Sequence, residues 1–167
     1  KRKGQADWEQ IRDLKQHLSI PVIGNGDIQI ADDALQMREE TLCDGVMIGR
    51  ALTVRPWMLW QIGEQLGLPA PEGKEGQKAP RGPEEEAYAY GEAVLTFTDL
   101  CEHYFFLLQA LKKVRFFLRV SHPWLNFGHR LLSLSHKYKN LPEMREHIQK
   151  VFEKPGMKLS ERTQLRY

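Results

Sequence analysis

The sequence has no stretch of about 18 uncharged apolar residues, so it predicts no membrane-spanning helix. Cysteine is scarce: Cys43 and Cys101 lie far apart among apolar neighbours. Two lone thiols argue against a disulfide framework and favour a reducing compartment such as the cytoplasm. Either thiol could act as a nucleophile only if it were exposed beside a base, and buried core positions are the simpler prediction.

Metal-ligand spacing is also missing. The six histidines form no His-x-x-x-His pair beside a glutamate, and neither cysteine has a neighbouring cysteine. Structural and catalytic metal sites rely on such clusters, so we predict no metal site.

Acidic residues are absent from residues 105–142, although the whole chain has a net charge of only +2. This acid-free stretch contains seven bases: Lys112, Lys113, Arg115, Arg119, Arg130, Lys137 and Lys139. Three of them, Lys112, Arg115 and Arg119, recur at helical spacing, which predicts a basic stripe on one helix. Such a stripe suits a nucleic acid, another acidic partner or simply a solvated helix face, and the residues alone leave all three open.

Residues 21–50 carry the strongest structural pattern. Two short apolar runs, 21–24 and 45–48, flank an amphipathic segment, 31–41, which predicts a strand–helix–strand unit. Two parallel strands joined by a helix end at the same edge of a sheet. The first run ends at Asn25-Gly26-Asp27 and the second at Gly49-Arg50, so these two turns are expected to lie side by side.

Backbone N–H groups and one guanidinium at such an edge suit a phosphate, as in the last loops of a (β/α)₈ barrel. The alternative is a pair of ordinary turns that use glycine for backbone geometry. As a dinucleotide fingerprint the pattern is weak, because the third glycine is missing. Asp27 could act as a general acid or base, but its residue type also suits a turn.

The rest of the chain reads as helices. We predict helices from Asp7 to Leu18, from Pro56 to Leu66, within 84–120, over 126–137 and over 142–152, with a polar, frayed tail from Lys154. Residues 67–83 are rich in glycine and proline and predict a linker. Two parallel strands cannot bury both faces of a sheet, so we expect partner strands before Lys1 and interpret the chain as a fragment.

Three short segments resemble the tRNA-dihydrouridine synthase family: residues 4–8 (GQADW), 20–28 (IPVIGNGDI) and 43–51 (CDGVMIGRA). The likeness is close over residues 4–66. It implies an α/β plus all-α fold, in which the last two βα units of an FMN-binding (β/α)₈ TIM barrel precede a C-terminal helical bundle. The expected domains are a barrel part at 1–66, a linker at 67–83, a helical tRNA-binding domain at 84–154 and a tail at 155–167.

The resemblance also implies the chemistry. NADPH would reduce the FMN, which would pass hydride to a uridine of tRNA to give 5,6-dihydrouridine. Asn25, Gly26 and Asp27 would hold the FMN phosphate from the loop after the seventh strand, and Gly49 and Arg50 from the loop after the eighth. Contacts with tRNA are assigned to Lys112, Lys113, Arg115, Arg119 and Arg130. The full-length enzyme is expected to be monomeric and cytoplasmic.

Two departures from the family follow. The proton-donating cysteine and the flavin-contacting lysine and histidine belong to earlier barrel loops, so we expect no catalytic residue in this chain and no activity from it alone. Residues 103–106 lack the glycine turn that commonly breaks the family's first helices. A non-catalytic RNA-binding remnant, or another FMN barrel oxidoreductase acting on a small molecule, remains an alternative function.

Overall fold

The computed structural model describes residues 6–164, which are mostly helical with one two-stranded parallel sheet. These residues divide into two compact units, residues 6–79 with 164 and residues 80–163. No helix within residues 6–164 is long and apolar enough to cross a membrane. The elements of the first unit are α1 (Trp8–His17), β1 (Ile23–Asn25), α2 (Ala31–Thr41), β2 (Gly45–Met47), α3 (Arg50–Val54) and α4 (Met58–Gln65).

The sheet of the first unit pairs β1 with β2 in parallel, with Ile23 opposite Gly45 and Asn25 opposite Met47. This confirms the strand–helix–strand prediction for residues 21–50. Helix α1 begins where predicted, because the Asp7 carboxylate accepts a hydrogen bond from the Glu9 N–H at 3.1 Å.

Helix α2 packs directly against β1. A Cβ at Gly24 would lie 2.7 Å from Sδ of Met37 and 3.0 Å from Sγ of Cys43, so only glycine allows this approach. Met37 and Met58 are fully buried in the same core. The start of β1 is fixed by Asp44, whose carboxylate accepts hydrogen bonds from the Val22 N–H at 2.7 Å and from Lys15 Nζ at 2.7 and 2.8 Å.

The second unit is helical. Its elements are α5 (Pro83–Tyr104), α6 (Leu107–Ser121), a 3₁₀ turn (His122–Trp124), α7 (Gly128–Ser135) and α8 (Leu141–Phe152). The sequence leaves open whether residues 84–120 form one helix or two, and the structure shows two. Phe105 and Phe106 have extended backbones, so the helix stops although neither residue is glycine or proline.

Helices α5, α6 and α8 form the core of this unit. Tyr90 and Val94 of α5 and Val114 of α6 are fully buried with Met144 of α8. Tyr90 Oη and Ser121 Oγ share a hydrogen bond of 2.5 Å inside this core. Burial raises the pKa of Tyr90 far above its usual value of 10.0, so the phenol stays protonated.

The tail prediction is wrong for residues 156–160. Leu159 is 1% exposed and pairs with Leu125 in an isolated antiparallel bridge. Its N–H donates to Pro83 O at 2.8 Å, and the Ser160 N–H donates to Trp124 O at 2.6 Å. One buried leucine and two backbone hydrogen bonds therefore hold this segment against the helices. A single leucine in a polar segment does not predict such packing from the sequence.

Candidate functional site

The two turns singled out in the sequence lie at one edge of the sheet. The paired loops, defined as residues 25–27 and 48–50, follow the carboxyl ends of β1 and β2. Because the strands are parallel and Asn25 lies opposite Met47, the two loops leave the sheet together. The sequence therefore predicted correctly that these residues would be neighbours.

The first of the paired loops is shaped by its contacts with the start of α1. Gly26 has a φ of 141°, and a Cβ there would lie 2.3 Å from the Cβ of Ala6. The Trp8 indole Nε1–H donates to Gly26 O at 3.2 Å, and the Ala6 N–H donates to Asp27 Oδ2 at 2.6 Å. Sequence reasoning assigned no loop-holding role to Ala6 or Trp8, and the only sequence signal for one is their place in the family-like segment 4–8.

The second of the paired loops leads into α3. Gly49 is the N-cap of this helix, and a Cβ at Gly49 would meet no atom within 4 Å, so the space beside this backbone is open. Arg50 begins the helix, and its side chain is 46% exposed. Its Nη2 lies 3.9 Å from Asp27 Oδ1, which links the two loops by a long ion pair.

This geometry gives Asp27 and Arg50 different tasks. The Asp27 carboxylate is occupied by the Ala6 N–H and the Arg50 guanidinium, so it orients the loop and the arginine. Arg50 keeps much of its side chain exposed, and a guanidinium carries five N–H donors and a permanent positive charge. The paired loops thus suit a phosphate group, with the Asp27 charge partly offset by its partners.

Neither thiol is placed for chemistry on a substrate. Cys43 is 3% exposed and Cys101 is 1% exposed, which confirms the prediction of buried thiols. Burial raises the pKa of Cys101, more than Lys113 lowers it, so its thiolate is disfavoured. Within residues 6–164, no group of three or more His, Cys, Asp or Glu side chains is placed to hold a metal ion.

The basic residues of the second unit differ in their surroundings. Lys112, Lys113 and Arg119 are exposed on α6, and Arg130 is exposed on α7. Arg115 is half-buried, and its guanidinium donates to Tyr138 O at 2.7 Å and to Ser135 O at 3.3 Å. Arg115 therefore ties the end of α7 to α6 and has less capacity left for an outside phosphate than the other four.

Two of these cations lie over aromatic rings. Lys113 Nζ is 4.3 Å from the ring centroid of Phe105, and Arg119 Cζ is 5.4 Å from that of Phe116. Cations and exposed rings on one surface are a combination that nucleic-acid-binding surfaces use, since rings stack on bases and cations pair with phosphates.

Comparison with known proteins identifies the family. The sequence model described as "Dihydrouridine synthase (Dus)" matches residues 1–117. A probable tRNA-dihydrouridine synthase of Mycobacterium tuberculosis (strain ATCC 25618 / H37Rv) is 56% identical over 70 residues, which are 41% of this chain and 18% of that protein. One from Aquifex aeolicus (strain VF5) is 44% identical over 65 residues, 39% of this chain and 21% of that protein.

A third relative is tRNA-dihydrouridine synthase B of Vibrio vulnificus (strain CMCP6), 44% identical over 64 residues, 38% of this chain and 20% of that protein. The chain thus matches about a fifth of the length of these curated relatives. The family match covers all of the paired loops and most of α6. The chain belongs to the tRNA-dihydrouridine synthase family.

Proposed function

We propose that the protein is an FMN-dependent tRNA-dihydrouridine synthase that uses NADPH to reduce a uridine of tRNA to 5,6-dihydrouridine. The observation that carries the proposal is the meeting of Asn25, Gly26 and Asp27 with Gly49 and Arg50 at one sheet edge. In this chain these residues would hold the phosphate of FMN. When bound, the flavin would supply the hydride that the uridine ring accepts.

The fold proposal follows from the same unit. Residues 1–66 would be the last two βα units of a (β/α)₈ TIM barrel, with α3 lying between the last strand and the closing helix α4. Phosphates commonly bind at the loops after the last strands of such barrels, which is where the paired loops would fall. Residues 67–83 would be a linker, 84–154 a helical tRNA-binding domain and 155–167 its tail. The full-length enzyme would be cytoplasmic and monomeric.

The five residues that would hold the phosphate have different tasks in this proposal. Arg50 supplies positive charge and two parallel donors to the phosphate. Gly49 leaves space for the phosphate to approach the backbone, because a side chain there would occupy the open side. Asn25 and Gly26 contribute backbone donors, and Asp27 holds the guanidinium in position.

The helical unit would bind tRNA through its exposed cations. Lys112, Lys113, Arg119 and Arg130 would contact phosphates, which positions the RNA by shape without reading its sequence. Arg115 would support this surface from behind, because it already donates to the carbonyls of Ser135, the last residue of α7, and of Tyr138 beyond it.

The proposal is tested by Arg50→Ala in the full-length protein, with Arg38→Ala as the matched control. Arg38 is an exposed arginine at the end of α2, away from the paired loops. Titration with FMN and with riboflavin, which lacks the phosphate, separates phosphate contacts from ring contacts. Losing one charge-assisted contact of about 1.5–3 kcal/mol should weaken FMN binding roughly 10- to 150-fold.

Riboflavin binding should stay unchanged in both variants, and Arg38→Ala should bind FMN like the wild type. Formation of dihydrouridine in tRNA, measured by nucleoside mass spectrometry with saturating NADPH, should fall with FMN occupancy and recover at high FMN. Equal loss of FMN and riboflavin, or no loss of either, would remove Arg50 from the phosphate site. No dihydrouridine from the wild-type protein would remove the proposed activity.

A further inference from the structure

A pocket in the helical unit is separate from the paired loops and from the cations of α6. It has a volume of about 290 Å³ and lies between α7, the end of α8 and the turn at residues 154–157. Leu131, Leu134, Val151 and Met157 supply apolar walls. This volume is at the lower limit of small-molecule pockets, roughly 300–1,000 Å³, so it suits one ring system and not a whole dinucleotide.

The mouth of the pocket carries positive charge. Arg130 on α7 and Lys154 after α8 both line it, and both side chains are exposed. Within residues 6–164, neither has an ion pair or side-chain hydrogen bond. His147 lines the same pocket, and burial lowers its pKa. The positive charges of Lys154, Arg130 and Lys150 lower this pKa further. Lys150 itself is paired with Glu146, which leaves Arg130 and Lys154 as the cations open to an anion.

An exposed aromatic ring stands at the same mouth. Phe127 lines the pocket, and its side chain is 71% exposed. Its backbone is in the left-handed region at φ 59°, which is uncommon for a bulky residue. The conformation is held because Gly128 packs against the preceding turn, where a Cβ would lie 2.1 Å from His122 O. The fold thus keeps a hydrophobic ring in solvent next to Arg130, one helical turn further along α7.

The opposite wall is pinned as well. The Asn126 side chain donates from Nδ2 to Gly156 O at 2.7 Å and accepts from the Lys158 N–H at 2.6 Å. These two bonds fix the turn that carries Lys154 and Met157. The pocket is therefore formed by elements that are held in place without a ligand, which lowers the ordering cost of binding.

The groups at the mouth of the pocket narrow the choice of ligand. His147 Nε2 is enclosed and has no hydrogen-bond partner in the described part of the chain, so it is not open to a ligand. The exposed ring of Phe127 and the side chains of Arg130 and Lys154 are open to one. A nucleotide offers a flat base for Phe127 and an attached phosphate for Arg130 and Lys154, whereas an alkyl chain offers neither.

We propose that this pocket of the helical unit captures the base of one unpaired nucleotide of an RNA strand. Phe127 would stack on the base, the apolar walls would enclose it, and Arg130 and Lys154 would pair with its phosphate. The inference rests on the proposed RNA-binding role of this unit, to which it adds a contact with a base. Such a contact would favour tRNA regions with unstacked bases over continuous duplex.

The test measures fluorescence anisotropy of labelled pentauridylate and of an abasic ribose-phosphate pentamer with the same charge, using the whole chain at one salt concentration. Both probes offer phosphates, but only pentauridylate offers bases. Stacking and enclosure of one base should make pentauridylate bind roughly 5- to 150-fold tighter than the abasic probe.

Two variants test whether this preference for bases comes from the pocket. Val151→Phe fills the cavity and Phe127→Ala removes the ring, so each should abolish most of the preference for bases. Phe106→Ala is the matched control, because Phe106 is 86% exposed and does not line the pocket. Arg130→Ala should weaken both probes by similar factors. Phe127→Ala, at an exposed position, keeps the test decisive if Val151→Phe disturbs folding.

Equal binding of the two probes by the wild type, or failure to bind either, would overturn the proposal. A preference retained in both Val151→Phe and Phe127→Ala would place the base elsewhere. Competition by dodecanoate, with no competition by uridine monophosphate, would show that the pocket takes an apolar anion instead. None of these results depends on FMN binding or on dihydrouridine formation, so a failure here is distinct from a failure of the proposed activity.

Discussion

Replacing Gly91 with alanine tests the closest helix contact in the second unit. A Cβ at Gly91 would lie 2.7 Å from Cγ and 2.9 Å from Cβ of Phe152. A rotamer change can move Cγ but cannot move Cβ, so the contact with Cβ remains and α5 or α8 must shift. Overpacking costs about 1–3 kcal/mol, while alanine gains about 1 kcal/mol over glycine in a helix. We expect a net loss of roughly 1 kcal/mol in the free energy of unfolding.

The measurement is urea unfolding of the wild type, Gly91→Ala, Phe152→Ala and the double variant, followed by circular dichroism. Phe152→Ala removes Cγ and leaves only Cβ near position 91, so Gly91→Ala should cost less in that background. The coupling free energy should be about 0.5–3 kcal/mol. Hydrogen exchange of the α5 amides assigns the loss to the second unit.

Gly63→Ala in α4 is the control for helix propensity. Its Cβ would meet Leu68 at 3.7 Å, an ordinary contact, so this variant should gain stability. The reasoning about Gly91 is refuted if Gly91→Ala stabilises the protein as Gly63→Ala does, or if the coupling with Phe152 is zero.

Two further changes test other parts of the fold. Asp44→Asn should lower the stability of the first unit, because hydrogen bonds from Lys15 and the Val22 N–H hold the pKa of Asp44 below its usual 3.8. Because folding lowers the pKa of Asp44, its carboxylate stabilises the fold fully above pH 3.8, and this stabilisation is lost as the pH falls through the lower pKa of the folded state. The free energy of unfolding of Asp44→Asn should therefore depend less on pH in this acidic range than that of the wild type. Leu159→Ala should cost about 2–5 kcal/mol in urea unfolding, whereas Leu68→Ala, at a 58% exposed position, should cost about 0.5 kcal/mol or less; equal costs would contradict the docked tail.

The elements that the sequence predicted well carry strong local signals. Helix α1 has a capping aspartate before its first turn, and α8 has Asn140 as its N-cap and a proline in its first turn. Residues 31–41 match α2 at both ends. These signals act within one or two turns, so no tertiary contact is needed to read them.

Elements that depend on packing were less predictable. The five-residue helix α3 was not predicted, because it is too short for a periodic pattern. The break between α5 and α6 has no glycine or proline signal. It lets the buried faces around Val94 and Val114 both meet the same core, which a single straight helix could not do.

The candidate site divides in the same way. The two paired loops are neighbours because their strands are parallel, so the sequence was enough to place Arg50 beside residues 25–27. It could not show that Asp27 lies beside the guanidinium, since that depends on side-chain positions. Nothing in the sequence indicated the pocket beside Phe127, because Phe127, His147 and Lys154 have no regular spacing and meet only through the packing of α8 against α7.

The docked tail brings the last residues of the helical unit next to its first helix. The hydrogen bond from Leu159 to Pro83 brings together the first turn of α5 and a segment 76 residues later. A domain whose two ends meet can be inserted into a loop of a host protein, or cut and rejoined by circular permutation, with little rearrangement of its core. If the two ends of the unit were pulled apart, the Leu159–Pro83 and Ser160–Trp124 hydrogen bonds would bear the force before the helices do. These two hydrogen bonds would then be the first to break.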